Sequence, residues 1–463
     1  MGELDGIGHW LQRRLDELAS EHSVPGAAAA ILAGGERVEA ATGVLSVRTG
    51  VQVTPDSVFQ IGSITKVWTS TLVMQLVDEG KLDLDAPVRK YVPEFRIADR
   101  GAAEQITVRQ LTCHASGFEG DIFTDTGRGD DAIEKYVTTL HDVPQLFQPG
   151  ERFSYNNAGY VVLGRIVEVL RGLPYGAALR EHLARPLGLE HLATDAYEAI
   201  LHRAAVGHIE PEPGTGPQPA PVWALAPSNA PAGSLLAMSA GDLLEFARVH
   251  LAGGKAPDGS QVLSDRSVRT MQEPQIDVPD LGGVMADHWG IGWEIFNWGG
   301  TTVIGHDGGT IGQSAFLRVV PSRGVAIALL TNGGTPMALY REIFGQALAE
   351  LVGVRMPAEP EPPAGAGAPD PARYVGRYES RVAVITIAAD GEGRLWMTLT
   401  PRDVLAEAGM PETRFEIVQL DGDTFISRER QDGRYQVTTF VGTTPDGIPT
   451  FLHHGRAVPR VTG

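Results

Sequence analysis

The sequence predicts an α+β protein: a sheet built from both ends of a main domain, an inserted helical block, and a small C-terminal β-barrel. Strand patterns occur early in the chain, at residues 24–46, and return at residues 289–332. The intervening residues 85–210 are mainly helical in pattern. After a proline-rich stretch, short strand runs alternate with turn residues, which is typical of a small antiparallel barrel.

The N-terminal segment is predicted to form an amphipathic helix, because Trp10, Leu11, Leu15 and Leu18 recur at helical spacing. This segment lacks the basic start and apolar core of a signal peptide. No run of ~20 apolar residues occurs elsewhere, so no transmembrane span is predicted. We therefore expect a cytoplasmic protein.

Residues 24–46 are predicted to form a strand, a turn and a second strand. The apolar run Ala27 to Ala33 is followed by the turn signal Gly34-Gly35, and Arg37 to Thr42 resumes the strand pattern. A long helical pattern then begins near Ser63, and Gly80 is placed to end it.

The second half of the chain predicts further strands, a helix, a linker and the barrel. The strand runs are Trp289 to Phe296, Thr302 to Ile304, Ala315 to Val320 and Val325 to Leu330, before a helix at Leu339 to Leu351. Residues 356–372 are rich in proline and alanine, which is typical of an extended linker. We therefore divide the chain into a main domain at 1–355, with its helical insertion at about 75–220, and a barrel domain at 373–463.

The net charge and the cysteine content exclude some kinds of partner and of binding site. The formal net charge is −19, which argues against nucleic acid or an anionic membrane as the main partner. The one cysteine, Cys113, excludes an internal disulfide and a zinc cluster of cysteines. We predict neither a metal site nor a cofactor.

The first candidate for chemistry is the pair Ser63 and Lys66. Residues three apart share one face of a helix, and Ser63 would lie at the helix N-terminus, where backbone N–H groups favour negative charge. A partly buried lysine with a lowered pKa can accept the serine proton and turn the hydroxyl into a nucleophile. Taken alone, the pattern also fits a helix-capping serine beside a solvated lysine.

Two further candidates supply polar groups. Tyr155 precedes the apolar helix that starts near residue 161 and could pass a proton to a leaving group, while the amide of Asn157 could bind a substrate carbonyl. A packed tyrosine and a capping asparagine are the alternative. Later in the chain, His306 could orient substrate, Gly308 allows a close approach, and the N–H of Gly309 could form an oxyanion hole with that of Ser63. A plain turn is the alternative there.

In this order and at these separations, the three motifs resemble the serine β-lactamase and penicillin-binding-protein-like family, on its class C β-lactamase, family VIII-type esterase and D-aminopeptidase branch. The resemblance covers roughly residues 10–355. Its segments are Phe59 to Lys66, Leu111 to Gly117, Pro149 to Asn157, Ala232 to Ser234 and Gly305 to Gly309. The family implies an antiparallel sheet flanked by helices, and the end of the chain resembles the lipocalin-like domain attached to several such peptidases and cyclases.

The resemblance implies catalytic roles for Ser63, Lys66, Tyr155 and His306. Ser63 would form an acyl-enzyme, Lys66 and Tyr155 would move the proton to the leaving group, and the amides of Ser63 and Gly309 would hold the oxyanion. Asn157 and Gly308 would contact the substrate. The other motif histidine, His114, is expected to be structural.

One departure from the family pattern concerns the substrate. The true β-lactamases have Lys-Thr-Gly where this chain has His306-Asp307-Gly308. Loss of that lysine removes a positive charge for the β-lactam carboxylate, so we expect inefficient β-lactam hydrolysis. We also expect solvated positions for Gly455, Arg456 and Arg460 at the end of the barrel, with a position facing the active-site cleft as the alternative. The acidic loop 119–131 is likewise expected to be solvated, and the alternative is that it flanks the cleft and attracts an amine.

Three functions follow from the resemblance. The first is a serine hydrolase or acyltransferase that acts on esters or D-residue peptides. The second is a penicillin-binding-protein-type thioesterase that cyclises nonribosomal peptides, with a peptidyl carrier protein as partner. The third is a non-catalytic penicillin-recognising protein that is acylated once and stalls. In each case the ligand is a small-molecule or peptide acyl compound.

Overall fold

A computed structural model describes residues 3–212, 214–365, 370–407, 410–431 and 433–461. The helices are α1 (Glu3–Glu21), α2 (Thr65–Asp78), α3 (Arg100–Gln105), α4 (Val108–Thr112), α5 (Ala132–Thr139), α6 (Asn157–Arg171), α7 (Tyr175–Leu179), α8 (Ala196–Ala199), α9 (Ala240–Leu251), α10 (Asp265–Gln272), α11 (Pro336–Val352), α12 (Pro371–Tyr374) and α13 (Asp403–Glu407). The strands up to the linker are β1 (Gly26–Ala33), β2 (Glu36–Gly43), β3 (Phe59–Gln60), β4 (Leu192–Ala193), β5 (His208–Ile209), β6 (Gln218–Pro219), β7 (Ala237–Met238), β8 (Ile276–Asp277), β9 (His288–Trp289), β10 (Glu294–Trp298), β11 (Thr301–Thr310), β12 (Gln313–Val320) and β13 (Val325–Thr331). Those after it are β14 (Gly376–Glu379), β15 (Ala383–Ala389), β16 (Leu395–Pro401), β17 (Thr413–Asp421), β18 (Thr424–Ser427), β19 (Val437–Thr443), β20 (Pro449–His453) and β21 (Ala457–Pro459).

The first sheet has eight antiparallel strands in the order β2-β1-β13-β12-β11-β10-β9-β8. Its centre joins distant parts of the chain, since Ala29 in β1 pairs with Leu329 in β13. This confirms the prediction that both ends of the main domain build one sheet. The sheet also places β11, which carries His306, beside the turn that leads into the buried helix α2.

Helices cover both faces of this sheet, because alternate strand residues point to opposite faces. On one face, Leu15 of α1 and Phe344 of α11 pack with Ala29 and Leu329. On the other face, Trp68 of α2 stacks on Phe246 of α9, with ring centroids 3.9 Å apart, and both pack with the sheet. The five small residues at the start of β1, Gly26 to Ala30, let helices approach closely on both sides.

The prediction of a single strand over Trp289 to Phe296 is wrong. Its residues form β9 and β10, separated by a tight turn in which the N–H of Gly290 bonds to the carbonyl of Trp293. Gly292 in this turn has φ of +82°, a conformation that glycine adopts without strain. The inserted block contains the predicted helices α3 to α8 and, in addition, the short strands β4 to β6.

The C-terminal part forms a second antiparallel sheet whose eight strands follow chain order from β14 to β21. An isolated bridge between Tyr378 and Arg460 links its first and last strands, so the barrel is nearly closed, as predicted. Aromatic rings fill it, with Tyr374, Phe425 and Phe440 in mutual contact. Residues 366–369 of the expected linker lie outside the described residues, and the domain limits at 355 and 373 stay a prediction.

None of the helices in the described part of the chain combines the length and apolarity that a membrane crossing requires.

Candidate active site

Ser63 and Lys66 lie where the sequence predicts, at the start of α2. A short 3-10 turn, Gly62–Ile64, leads into α2, which leaves Ser63 partly exposed while Lys66 is fully buried one turn later. The Lys66 ammonium nitrogen Nζ lies 2.9 Å from Ser63 Oγ and donates to the carbonyl of Ala232 at 2.6 Å. The two side chains are therefore in direct hydrogen-bond contact.

Burial changes the protonation of Lys66. Removal from water disfavours the charged form and holds the pKa of Lys66 well below its ordinary value. Arg456 lowers this pKa further by charge repulsion, and Asp121 raises it. A lysine whose pKa is lowered in this way gives up its proton more readily than a solvated lysine and can then accept one from Ser63.

The side chain of Tyr155 lies next to both Ser63 and Lys66. The Ser63 side chain lowers the pKa of the Tyr155 hydroxyl against the effect of burial, and the Tyr155 ring centre lies 4.9 Å from Lys66 Nζ. Burial raises the pKa of Tyr155, so its hydroxyl keeps its proton at neutral pH. The site thus holds a neutral tyrosine that can donate a proton beside a lysine that can accept one.

His114 lies behind Tyr155 rather than at the exposed side of the site. It is fully buried, its ring stacks on that of Tyr155 at 4.2 Å, and its Nδ1 accepts from the N–H of Asn156 at 2.9 Å. These contacts fix the ring and the backbone of the tyrosine loop, which is consistent with the structural role expected for His114.

The motif on β11 approaches the Ser63 turn through backbone atoms. A Cβ added at Gly308 would lie 1.9 Å from the carbonyl oxygen of Ile61 and 3.0 Å from the Ser63 nitrogen. A Cβ added at Gly62 would lie 2.5 Å from the Gly309 nitrogen. The amides of Ser63 and Gly309 are therefore brought to neighbouring positions by contacts that only glycine permits.

His306 is buried next to this backbone contact and is uncharged. Its Nδ1 lies 2.6 Å from the carbonyl of Asp307, which can only accept, so Nδ1 carries the proton and Nε2 has a free lone pair. Burial and the nearby Lys66 lower the pKa of His306 to about 3. Nε2 has no partner within the described part of the chain, so His306 offers a hydrogen-bond acceptor but no positive charge.

Asn157 contacts Asp121 of the acidic loop. Asn156 caps α6, whereas the amide of Asn157 donates to Asp121 at 2.7 Å. Asp121 is largely buried and also pairs with the half-exposed Arg456 at 2.8 Å, so the solvated position expected for Asp121 is wrong, whereas residues 127–131 of the loop are exposed as expected. The Arg456 guanidinium lies 4.7 Å from the Tyr155 ring centre.

The C-terminal hairpin, residues 449–459, brings Arg456 to the site. The N–H of Tyr155 donates to the carbonyl of Gly455 at 3.0 Å, and the N–H of Ala457 donates to Ser154 Oγ at 3.1 Å. Gly455 is therefore also not solvated. Arg460 bonds to carbonyls within the barrel. Sequence reasoning missed the Asp121–Arg456 pair because 335 residues separate the two positions.

The charges around Lys66 predict a pH effect. Arg456 lowers the pKa of both Lys66 and Tyr155, and Asp121 raises both. Because activity needs neutral Lys66 and protonated Tyr155, Arg456→Gln should move both limbs of the kcat/KM pH profile to higher pH. Asp121→Asn should move both limbs to lower pH. Profiles measured with one substrate check this; shifts of the same sign in both variants would contradict it.

Across the residues that the structure describes, no group of three or more histidine, cysteine, aspartate or glutamate side chains is arranged to hold a metal ion.

The chain is similar to known proteins in sequence and in structure. The family model described as Beta-lactamase matches residues 11–350. Penicillin-binding protein 4 of Amycolatopsis lactamdurans is 47% identical over 372 residues, which cover 80% of this chain and 97% of that protein.

Two solved structures are also similar. The crystal structure of SurE, also solved with D-Leu, has a TM-score of 0.78 and 31% identity and covers 99% of this chain and 100% of SurE. The D-amino acid amidase of Ochrobactrum anthropi SV3, complexed with L-phenylalanine amide, has a TM-score of 0.60 and 25% identity and covers 71% of this chain and 92% of the amidase.

Proposed function

The chain belongs to the Beta-lactamase family, and we propose that it is a serine hydrolase that forms an acyl-enzyme on Ser63 with esters or D-residue peptides. The observation that carries this proposal is the 2.9 Å contact between Ser63 Oγ and the buried Lys66 Nζ. A serine hydroxyl becomes nucleophilic when a neighbouring base takes its proton, and burial keeps Lys66 available as that base.

In the proposed reaction, protons move among three side chains, those of Ser63, Lys66 and Tyr155. Ser63 Oγ attacks the substrate carbonyl while its proton passes to Lys66 Nζ, and the N–H groups of Ser63 and Gly309 hold the developing oxyanion. Tyr155 then gives its proton to the leaving group and regains one from Lys66. In the second half of the cycle, water adds to the acyl group, and Ser63 recovers its proton when the acid departs.

The similar proteins support the substrate class. The amidase is named for D-amino acids, and SurE has been crystallised with D-Leu. His306 adds a local reason, because its free Nε2 lone pair suits a substrate N–H or ammonium group better than an anion. We therefore propose D-configured acyl donors that carry a hydrogen-bond donor near the scissile carbonyl.

The test combines turnover with intact-protein mass. A short p-nitrophenyl ester should be hydrolysed with a transient mass increase equal to the acyl group, and D-leucine p-nitroanilide should be cleaved faster than its L-enantiomer. Absence of turnover with every ester and amide would contradict the proposal. A persistent adduct without turnover would instead support the non-catalytic penicillin-recognising function.

The neutral His306 also predicts poor β-lactam hydrolysis. With a pKa of about 3 the imidazole stays uncharged above pH 5, so the β-lactam carboxylate meets no positive charge at this position. We expect kcat/KM for a penicillin to be at least about 10²-fold below that for the best ester, and His306→Lys to narrow the gap. A chromogenic β-lactam measures this, and an equal rate for both substrates would contradict it.

A second candidate is transfer of the acyl group to an amine, as in a thioesterase that cyclises a nonribosomal peptide delivered by a carrier protein in the cytoplasm. The observation that favours it is the C-terminal hairpin, whose Gly455 carbonyl accepts a hydrogen bond from the Tyr155 N–H and so places the barrel beside the proposed acid. Product mass from a peptidyl thioester decides between the two. Loss of the thiol without gain of water supports cyclisation, and gain of water supports hydrolysis.

A further inference from the structure

A buried tryptophan, Trp289, lies beside the proposed proton donor Tyr155. Trp289 is on β9, where it pairs with Glu294 of β10 and Ile276 of β8. Its carbonyl also accepts from the N–H of Gln275 at 2.8 Å. The indole is 0% exposed and packs in the same apolar cluster as Tyr155. Trp289 is therefore held by strand pairing on both sides, with its ring turned into the protein.

The indole ring of Trp289 contacts the rings of two proposed site residues. Its centroid lies 5.6 Å from that of Tyr155 and 5.5 Å from that of His306, at interplanar angles of 75° and 87°. Such near-perpendicular arrangements are favourable between aromatic rings. The rings of Tyr155 and His306 are themselves 6.2 Å apart. Among the aromatic rings of the described residues, only that of Trp289 contacts both.

The position of Tyr155 depends on such packing because this residue lies in the loop before α6 rather than in a helix or strand. His114 stacks on its ring at 4.2 Å with an interplanar angle of 28°, whereas Trp289 meets the ring at 75°. Two neighbours in such different orientations restrict the ring in different directions. A smaller side chain at position 289 would leave space for the ring to move, and a displacement of about 1 Å can cost about 10²-fold in rate.

We propose that Trp289 is a positioning residue that holds the hydroxyl of Tyr155 where it can protonate the leaving group. The inference rests on the proposed acyl-enzyme function and adds to it the side chain that orients the acid. Trp289 is fully buried, so it acts through Tyr155 and not by contact with the substrate. Its loss should therefore harm a substrate in proportion to the need of its leaving group for a proton.

The experiment compares two substrates that share a D-leucyl group and differ in the leaving group. D-leucine p-nitroanilide releases an amine whose nitrogen must take a proton as the C–N bond breaks, whereas D-leucine p-nitrophenyl ester releases a phenolate that needs none. Trp289→Phe should lower kcat/KM for the anilide about tenfold or more and that for the ester about threefold or less, after subtraction of spontaneous hydrolysis. The ratio of the two values does not depend on the fraction of enzyme that is folded.

Trp293 provides the matched control. It follows Trp289 across the tight turn, is equally 0% exposed, and its Nε1, like that of Trp289, has no hydrogen-bond partner among the described residues. Its ring packs on His250 of α9, at a centroid distance of 5.1 Å, in the core on the α9 face of the sheet. Trp293→Phe makes the same chemical change at equal burial and should keep the wild-type ratio of anilide to ester.

A double variant tests whether Trp289 acts through Tyr155. In a Tyr155→Phe background, which already lacks the acid, Trp289→Phe should leave the ratio unchanged. If Trp289→Phe does not fold, Trp289→Tyr, which keeps a longer ring, should lower the ratio in the same direction.

Four results would overturn the inference: equal losses for both substrates in Trp289→Phe, an equal fall of the ratio in Trp293→Phe, a further fall in the Tyr155→Phe background, or wild-type turnover of the ester alone. Wild-type enzyme that cleaves neither substrate would instead contradict the proposed function.

Discussion

Replacing Ser63 with alanine is expected to lower kcat/KM for a p-nitrophenyl ester by about 10⁴-fold or more, and Lys66→Met should lower it by about 10³-fold or more. In the proposed reaction Ser63 supplies the attacking oxygen, and Lys66 Nζ, 2.9 Å away, is the base that accepts its proton. Because the two act as one unit, the double variant should be no slower than Ser63→Ala alone. Steady-state rates of the three variants check this.

When these variants are compared, loss of stability must be distinguished from loss of catalytic activity. Lys66→Met removes a buried polar group but leaves the carbonyl of Ala232 without its donor, which costs about 1–3 kcal/mol of stability. Thermal unfolding of each variant measures that cost. The control Lys135→Met removes an exposed lysine that pairs with Asp131, and it should retain full activity. A folded Lys66→Met with more than a tenth of wild-type activity would exclude Lys66 as the base.

Local sequence patterns were sufficient to predict the contact between Ser63 and Lys66 and most of the strands of the first sheet. The spacing of Ser63 and Lys66 fixes their relative position once the segment is helical, and the predicted strand runs Ala27 to Ala33 and Val325 to Leu330 are apolar along their whole length. The split between β9 and β10 could not be predicted in the same way. Its turn contains apolar residues that are buried, so the hydropathy pattern continues through it.

The sequence could not place the groups that the barrel brings to the site. Arg456 follows a glycine near the end of the barrel, a position that in isolation is typical of a solvated turn. Its approach to Asp121 and Tyr155 depends on the docking of two sheets, which bury backbone and side-chain contacts such as that between His453 and the carbonyl of Phe153. Docking of this kind leaves no periodic signal in either segment. The burial of Asp121 was missed for the same reason.

The backbone contact at Gly308 gives the second large expected effect. Gly308→Ala should lower kcat/KM by about 10²–10³-fold, because a methyl group there would overlap the Ile61 carbonyl and push β11 away from the Ser63 turn. That movement would separate the Ser63 and Gly309 amides, and an oxyanion hole loses about this much when one donor is misplaced. The thermal midpoint should also fall, since the overlap is with backbone atoms that cannot rotate away.

The neighbouring glycine supplies a matched control. A Cβ at Gly309 would meet only the carbonyl oxygen of Gln313, at 4.0 Å, so Gly309→Ala adds the same methyl group to the same motif without an overlap. It also keeps the N–H that the oxyanion requires. We therefore expect Gly309→Ala to stay within about tenfold of wild type while Gly308→Ala does not. Equal losses in both variants would mean that the close approach of β11 to the Ser63 turn does not set the geometry of the oxyanion hole, and the assignment of Gly309 as its second donor would then fail.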